Sequence, residues 1–171
     1  MRLARALVLV AAACGGTPPP APISNNQHPT AAPHEPMATI ERTACFGWCP
    51  VYKVTVYRDG AVEYDGGNFV RTTGHATGTL KPDRLAALDE LFRSHHYLDL
   101  RNSYDEYRMT DMPSVFTSYT PQGQTAKRVK HYLGDDSAPR DLTEVEDGID
   151  RIIDIEQWIG TDDERRKAMR E

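Results

Sequence analysis

Cys45 and Cys49, with three residues between them, are the side chains of this sequence best placed to do chemistry. Two thiols at that spacing have three outcomes open to them. In an oxidising compartment they close a disulfide, and Gly47 between them eases the tight turn. On the chain-entropy account so small a ring stabilises a fold by about 2 kcal/mol. A thiol-redox pair would need nearby positive charge and partial exposure. Arg42 and Lys53 could supply the charge, although a redox pair usually opens a helix and here a strand-like run follows. Zinc would need four ligands, and no second close Cys or His pair follows. The structural disulfide is the simplest of the three.

The third cysteine, Cys14, would be an odd thiol in an exported protein unless it has a separate fate. Two arginines in Met1–Arg5, an apolar run from Ala6 to Ala13, and Ala11-Ala12-Ala13 just before Cys14 make a signal peptide with small residues at the cleavage point. The segment resembles a bacterial lipoprotein signal, which implies that Cys14 is diacylated and becomes the new N-terminus. A plain secretory signal cut near the same place is the alternative. The expected organisation is a signal peptide over 1–13 and a lipid-anchored, Pro-rich linker over 14–37. Seven of the twelve prolines fall in that linker. They bias it to extended polyproline II, with a reach of roughly 70 Å at about 3.1 Å per residue.

Other polar clusters are weaker signals. His28 and His34 are too sparse for a metal tract and read as solvated linker. His75 falls in a strand, His95-His96 follow a helix whose dipole a cation would offset, and His131 falls in a basic strand with Lys127, Arg128 and Lys130. These histidines read as helix capping and solvated surface, since no His-x-x-x-His, His-Glu-x-x-His or Gly-x-Ser-x-Gly spacing occurs. The basic strand reads as a charge-protected sheet edge, with an anionic glycan or lipid headgroup as the functional alternative. Asp99, Asp105, Glu106 and Asp111, near Tyr97, Tyr104 and Tyr107, could pair as acid and base or bind calcium, but lack calcium-loop spacing. Asp111 reads as a turn residue.

The elements that must position these residues follow from periodicity. Thr39–Thr43 and, far more strongly, Val51–Tyr57 alternate as strands. Arg58-Asp59-Gly60 turns into Ala61–Asp65, and a three-residue turn with Gly60 left-handed pairs Val56 with Val62 and Val54 with Tyr64. Asn68–Leu80 reads as a further strand. Pro82 suits a first helical turn, and Leu85, Leu88, Leu91 and Phe92 form one stripe. Tyr97–Pro113 is loop-like. Val115–Thr120 and Gln124–Leu133 read as strands about a Pro121-Gln122-Gly123 turn. Asp141 and Glu144 suggest a capping box, opening a helix that runs to about Ile159 with Leu142, Val145, Ile149 and Ile152 on one face. Gly160 stops it before a charged tail over 160–171.

Arg42-x-x-Cys45-Phe46-Gly47-x-Cys49-Pro50-x-Tyr52, followed by Asp59-Gly60, Tyr64-Asp65-Gly66, Thr110–Ser114 and a terminal helix ending in Trp158, resembles the bacterial family termed domain of unknown function 6438. The resemblance spans about Ala38 to Ile159. It implies an envelope-exported domain with no assigned activity, so it supplies no catalytic residues.

Composition narrows the classes further. The 171 residues carry a formal charge of −5, 39% hydrophobic residues and 26% charged ones, as an ordinary globular domain does. The acidic surplus disfavours a nucleic-acid partner, and no apolar run is long enough for a spanning helix. The expected fold is α+β: an antiparallel sheet of about six strands, ordered ββββ-α-ββ-α, with two helices on one face of a single 38–159 domain. The expected function is a lipid-anchored, non-enzymatic binding or structural domain of the cell envelope, facing the periplasm, with a protein or envelope polymer as partner. No catalytic, cofactor-binding or metal-binding residue is expected. The alternative is a periplasmic thiol-redox protein using Cys45 and Cys49.

Overall fold

Alternation of apolar and polar residues makes a strand two-sided, and Tyr52–Tyr57 shows it plainly: Tyr52, Val54 and Val56 point into the core while Lys53, Thr55 and Tyr57 point away. The structure is a computed structural model that describes residues 34–106, 111–168 and 170. Cys14, the signal segment and the linker up to residue 33 lie outside the described residues, as do Tyr107 and Thr110. The strands are β1 (Pro36–Arg42), β2 (Tyr52–Tyr57), β3 (Ala61–Gly66), β4 (Gly74–Thr79), β5 (Ser103–Tyr104), β6 (Ser114–Tyr119) and β7 (Lys127–Tyr132). The helices are α1 (Pro82–Ser94), α2 (Arg140–Ile153), α3 (Glu156–Ile159) and α4 (Asp162–Ala168).

The seven strands form one sheet in the order β4-β3-β2-β1-β6-β7-β5. The β2–β3 register is the expected one, with Val56 opposite Val62, Val54 opposite Tyr64, and Gly60 at φ 87°. The inward face carries Ile40, Val54, Val62, Tyr64, Val115 and Val129. Both long helices cover it: Leu88 and Phe92 come from α1, and Leu142, Val145, Ile149 and Ile153 from α2. Gly148 brings the helices together, since a Cβ there would lie 2.7 Å from the Leu91 side chain. Phe92 stacks on Tyr119, with centroids 4.4 Å apart.

The α+β class and the one-sided helix layer match expectation; several details do not. The sheet is mixed, because β5 runs parallel to β7. Two residues are too short to show a period, and β5 is held by buried Tyr104 and by the Lys130 amide donating to the Asn102 carbonyl, 3.0 Å. The basic strand β7 is therefore covered on its outer side over part of its length. β1 starts at Pro36, ahead of the expected boundary, because Met37 is buried. The strand expected over Asn68–Leu80 shrinks to β4, since residues before it turn away to bond α3: the Arg71 and Thr72 amides donate to the Ile159 and Trp158 carbonyls at 3.2 and 2.8 Å.

The capping box also moves. α2 starts after Pro139 with no side-chain cap; Asp141 faces His95 and Glu144 bonds Arg140. Thr161 and Glu164 make the reciprocal pair instead, the Thr161 amide donating to the Glu164 carboxylate at 2.8 Å and the Glu164 amide to the Thr161 hydroxyl at 3.3 Å. That box opens α4 inside the expected tail. The long second helix is two, because Asp154 at φ 55° breaks it and α3 follows at a new angle that stacks Trp158 on Tyr64, 5.0 Å between centroids.

Candidate functional site

Between β1 and β2 the chain leaves the sheet for a loop fastened at both ends. At one end the Thr43 amide donates to the Ser114 carbonyl at 3.0 Å, and the Ser114 amide to the Thr43 hydroxyl at 2.8 Å. At the other, the Val51 amide donates to Asn68 at 2.9 Å and the Gly67 amide to Val51 at 2.8 Å. Inside these clamps Cys45 and Cys49 are joined as a disulfide, with Cα atoms 5.7 Å apart. The Phe46 amide donates to the Asp111 carbonyl at 3.1 Å.

The aromatic side chains inside the ring stand away from the core. Phe46 is 90% exposed and Trp48 60% exposed. Trp48 meets Phe69 edge to face, with centroids 5.0 Å apart and planes at 79°. Phe69 sits at φ 59°, a left-handed conformation that a bulky aromatic side chain disfavours by about 1–2 kcal/mol. Strain at a half-exposed aromatic is the kind of outlier from which function is inferred.

Trp48 and Phe69 wall a groove of about 400 Å³ that Val70, Ile159, Arg71, Glu164 and Arg165 also line. Arg71 pairs with Glu164, and Arg165 pairs with Asp162 and the Gly160 carbonyl. Gly160, at φ 79°, leaves room for this arrangement, since a Cβ there would lie 3.3 Å from the Glu164 carboxylate. Glu164 is held below the usual carboxylate range by the Thr161 amide and by Arg71. The groove is thus mostly apolar, bordered by cations and anions that neutralise each other.

The expected thiolate-activating cations lie elsewhere. Arg42 turns inward: its guanidinium reaches Asp150 at 2.8–2.9 Å, Asp147 at 3.5 Å and the Tyr52 hydroxyl at 3.0 Å. Tyr52 in turn donates to Asp150 at 2.7 Å. Burial pushes the Asp150 carboxyl and the Tyr52 phenol upward. This knot ties α2 to the two central strands. Lys53 lies on the solvent face of the sheet.

The other polar residues are dispersed. His131, expected at the surface, is buried with Nδ1 2.9 and 3.1 Å from the two oxygens of buried Glu146; it alternates onto the core face with Val129. Arg128 covers the Phe116 ring and Lys130 pairs with Asp105. His34, expected in solvated linker, stacks on Tyr57 with centroids 4.0 Å apart. His75 lies 3.3 Å from Asp65. Among Asp99, Asp105, Glu106 and Asp111 no shared site forms, and among the described residues no cluster of three or more His, Cys, Asp or Glu could hold a metal ion. Phe46 and Trp48 are what sequence reasoning missed. Their place between the two cysteines is visible in the sequence, but the side to which the ring turns them is set by the clamps at Thr43 and Val51.

A family model described as domain of unknown function (DUF6438) matches residues 36–153. No curated protein matches the chain, and no solved structure does.

Proposed function

The chain belongs to the DUF6438 family, and from that premise we propose a non-enzymatic binding module of the bacterial cell envelope, tethered by a lipid on Cys14 and a Pro-rich linker. One observation carries the reading: the Cys45–Cys49 ring presents Phe46 and Trp48 to solvent, and Trp48 walls an apolar groove. Exposed aromatics on a stiff loop supply contact area at low entropic cost and mark interaction sites. The disulfide is compatible with an oxidising compartment, and among the described residues no helix is long and apolar enough to cross a membrane. The short apolar run before Cys14 supports the lipid anchor, which would hold the domain at the membrane surface.

Two experiments test this. Capture from solubilised envelope extract with the wild-type chain and with Trp48→Ala should differ in the material retained; identical retention refutes the site. Cys14→Ser should leave the protein unprocessed or release it from the membrane fraction; a processed variant still bound to membrane refutes the lipid anchor.

A further inference from the structure

Resting on the binding-module reading of this groove, we infer that its ligand is an uncharged glycan chain. The rings of Trp48 and Phe69, at 79° to each other, form a floor and a wall. A saturated ring fits such a corner, because its C–H bonds meet the electron-rich faces of the aromatics. The volume of about 400 Å³ lies in the range of ligand sites, roughly 300–1,000 Å³.

Charge decides the class. Each guanidinium of the border already has its own anion, Arg71 with Glu164 and Arg165 with Asp162 just outside the lining, so neither is left over to draw an ion. The border still offers guanidinium donors and a carboxylate acceptor side by side. Sugar hydroxyls donate and accept at once and use both. A proline-rich peptide also brings saturated rings, but its backbone offers mostly acceptors, for which the Glu164 carboxylate has no use. An anionic headgroup would have to displace Glu164 from Arg71.

The test is titration of the purified full-length chain with three neutral probes: a β-linked N-acetylglucosamine tetramer, and α- and β-linked glucose oligomers of similar length. Tryptophan emission and calorimetry are the readouts. Trp158 is buried, so a signal lost in Trp48→Phe belongs to the groove. The expected result is saturable binding of at least one probe, at least about tenfold weaker in Trp48→Ala and severalfold weaker in Glu164→Gln. Binding should change little as salt rises tenfold, since an uncharged probe forms no ion pair for salt to screen. No saturable binding by any probe overturns the glycan assignment, as does tighter binding of a Pro-Pro-Pro-Ala-Pro peptide that ignores Glu164→Gln. In either case Trp48-dependent capture from envelope extract leaves the binding-module reading standing; loss of that dependence removes both.

Discussion

Replacing Gly60 tests the hairpin that carries β2 and β3, and its cost can be worked from contacts. Gly60 has φ 87°, and a Cβ there would lie 2.7 Å from the Leu80 carbonyl oxygen. The two residues cannot simply part, because the Leu80 amide donates to the Gly60 carbonyl at 2.8 Å. Gly123, at φ 71° with nothing within 4 Å of a Cβ, isolates the backbone term. For Gly123→Ala, a left-handed penalty of about 1–2 kcal/mol is offset by about 0.4–1 kcal/mol of lost unfolded-state freedom, leaving a net loss of roughly 0–1.6 kcal/mol. Gly60→Ala adds the displacement and the strained hydrogen bond, for about 3 kcal/mol in all. Gly60→Val should be worse again, being β-branched. Urea denaturation of all three reads the differences. At roughly 3–5 °C per kcal/mol for a domain of this size, Gly60→Ala should melt about 10 °C lower. If Gly60→Ala falls within about 0.5 kcal/mol of Gly123→Ala, the contact argument is wrong.

The disulfide, Asp150 and Asp135 give the remaining tests. Intact mass without reductant should show the Cys45–Cys49 bridge as two missing hydrogens, and Cys45→Ser should destabilise by about 2 kcal/mol; rapidly alkylated thiols in protein isolated from cells would move the assignment to redox chemistry. Asp150→Asn should cost about 3 kcal/mol by leaving buried Arg42 only the more distant, exposed Asp147 at 3.5 Å, and the double variant Arg42→Met/Asp150→Leu should recover much of that; a double variant no better than the single would show that packing, not charge, dominates. Asp135 is held below the usual carboxylate range by Ser137 and the Glu106 amide. A carboxylate lowered in the folded state contributes stability above its unfolded value of 3.8, and loses it as pH falls through the lowered one. Asp135→Asn should therefore flatten the acid limb of the stability profile, and an unchanged limb would dismiss Asp135 as a cause.

What the sequence disclosed follows from how local each signal is. The β2–β3 hairpin was legible to the residue, because Gly60 and the alternation of Val54, Val56, Val62 and Tyr64 admit one consistent register. α1 was legible from Pro82 and its leucine stripe. β5 was not, because its placement depends on β7, distant in sequence. His131 was misread for the same reason: its partner Glu146 belongs to a helix formed later. The cysteine motif drew attention to sulfur, yet the exposed surface belongs to the aromatics between the sulfurs. Phe69 joins them only because the chain before β4 turns aside to meet α3.

The first strand of the domain lies in the middle of its sheet, and that has a kinetic consequence. β1 has β2 on one side and β6 on the other, with Thr39 bonded to Ser118 across a sequence separation of 79. Closing a loop of that length costs about 4 kcal/mol of chain entropy before any pairing returns it. The β1–β4 meander pairs strands that are neighbours in sequence and can assemble early. The β6–β7 hairpin must then dock onto the free side of β1, a non-local step of the kind that slows folding. Until it does, the main-chain donors and acceptors of β1 stay open to pairing with another chain. A chain threaded across a membrane from its N-terminus would expose that edge from the emergence of Arg42 until Tyr119 follows. The interval sets how long such a nascent chain would need shielding from its neighbours.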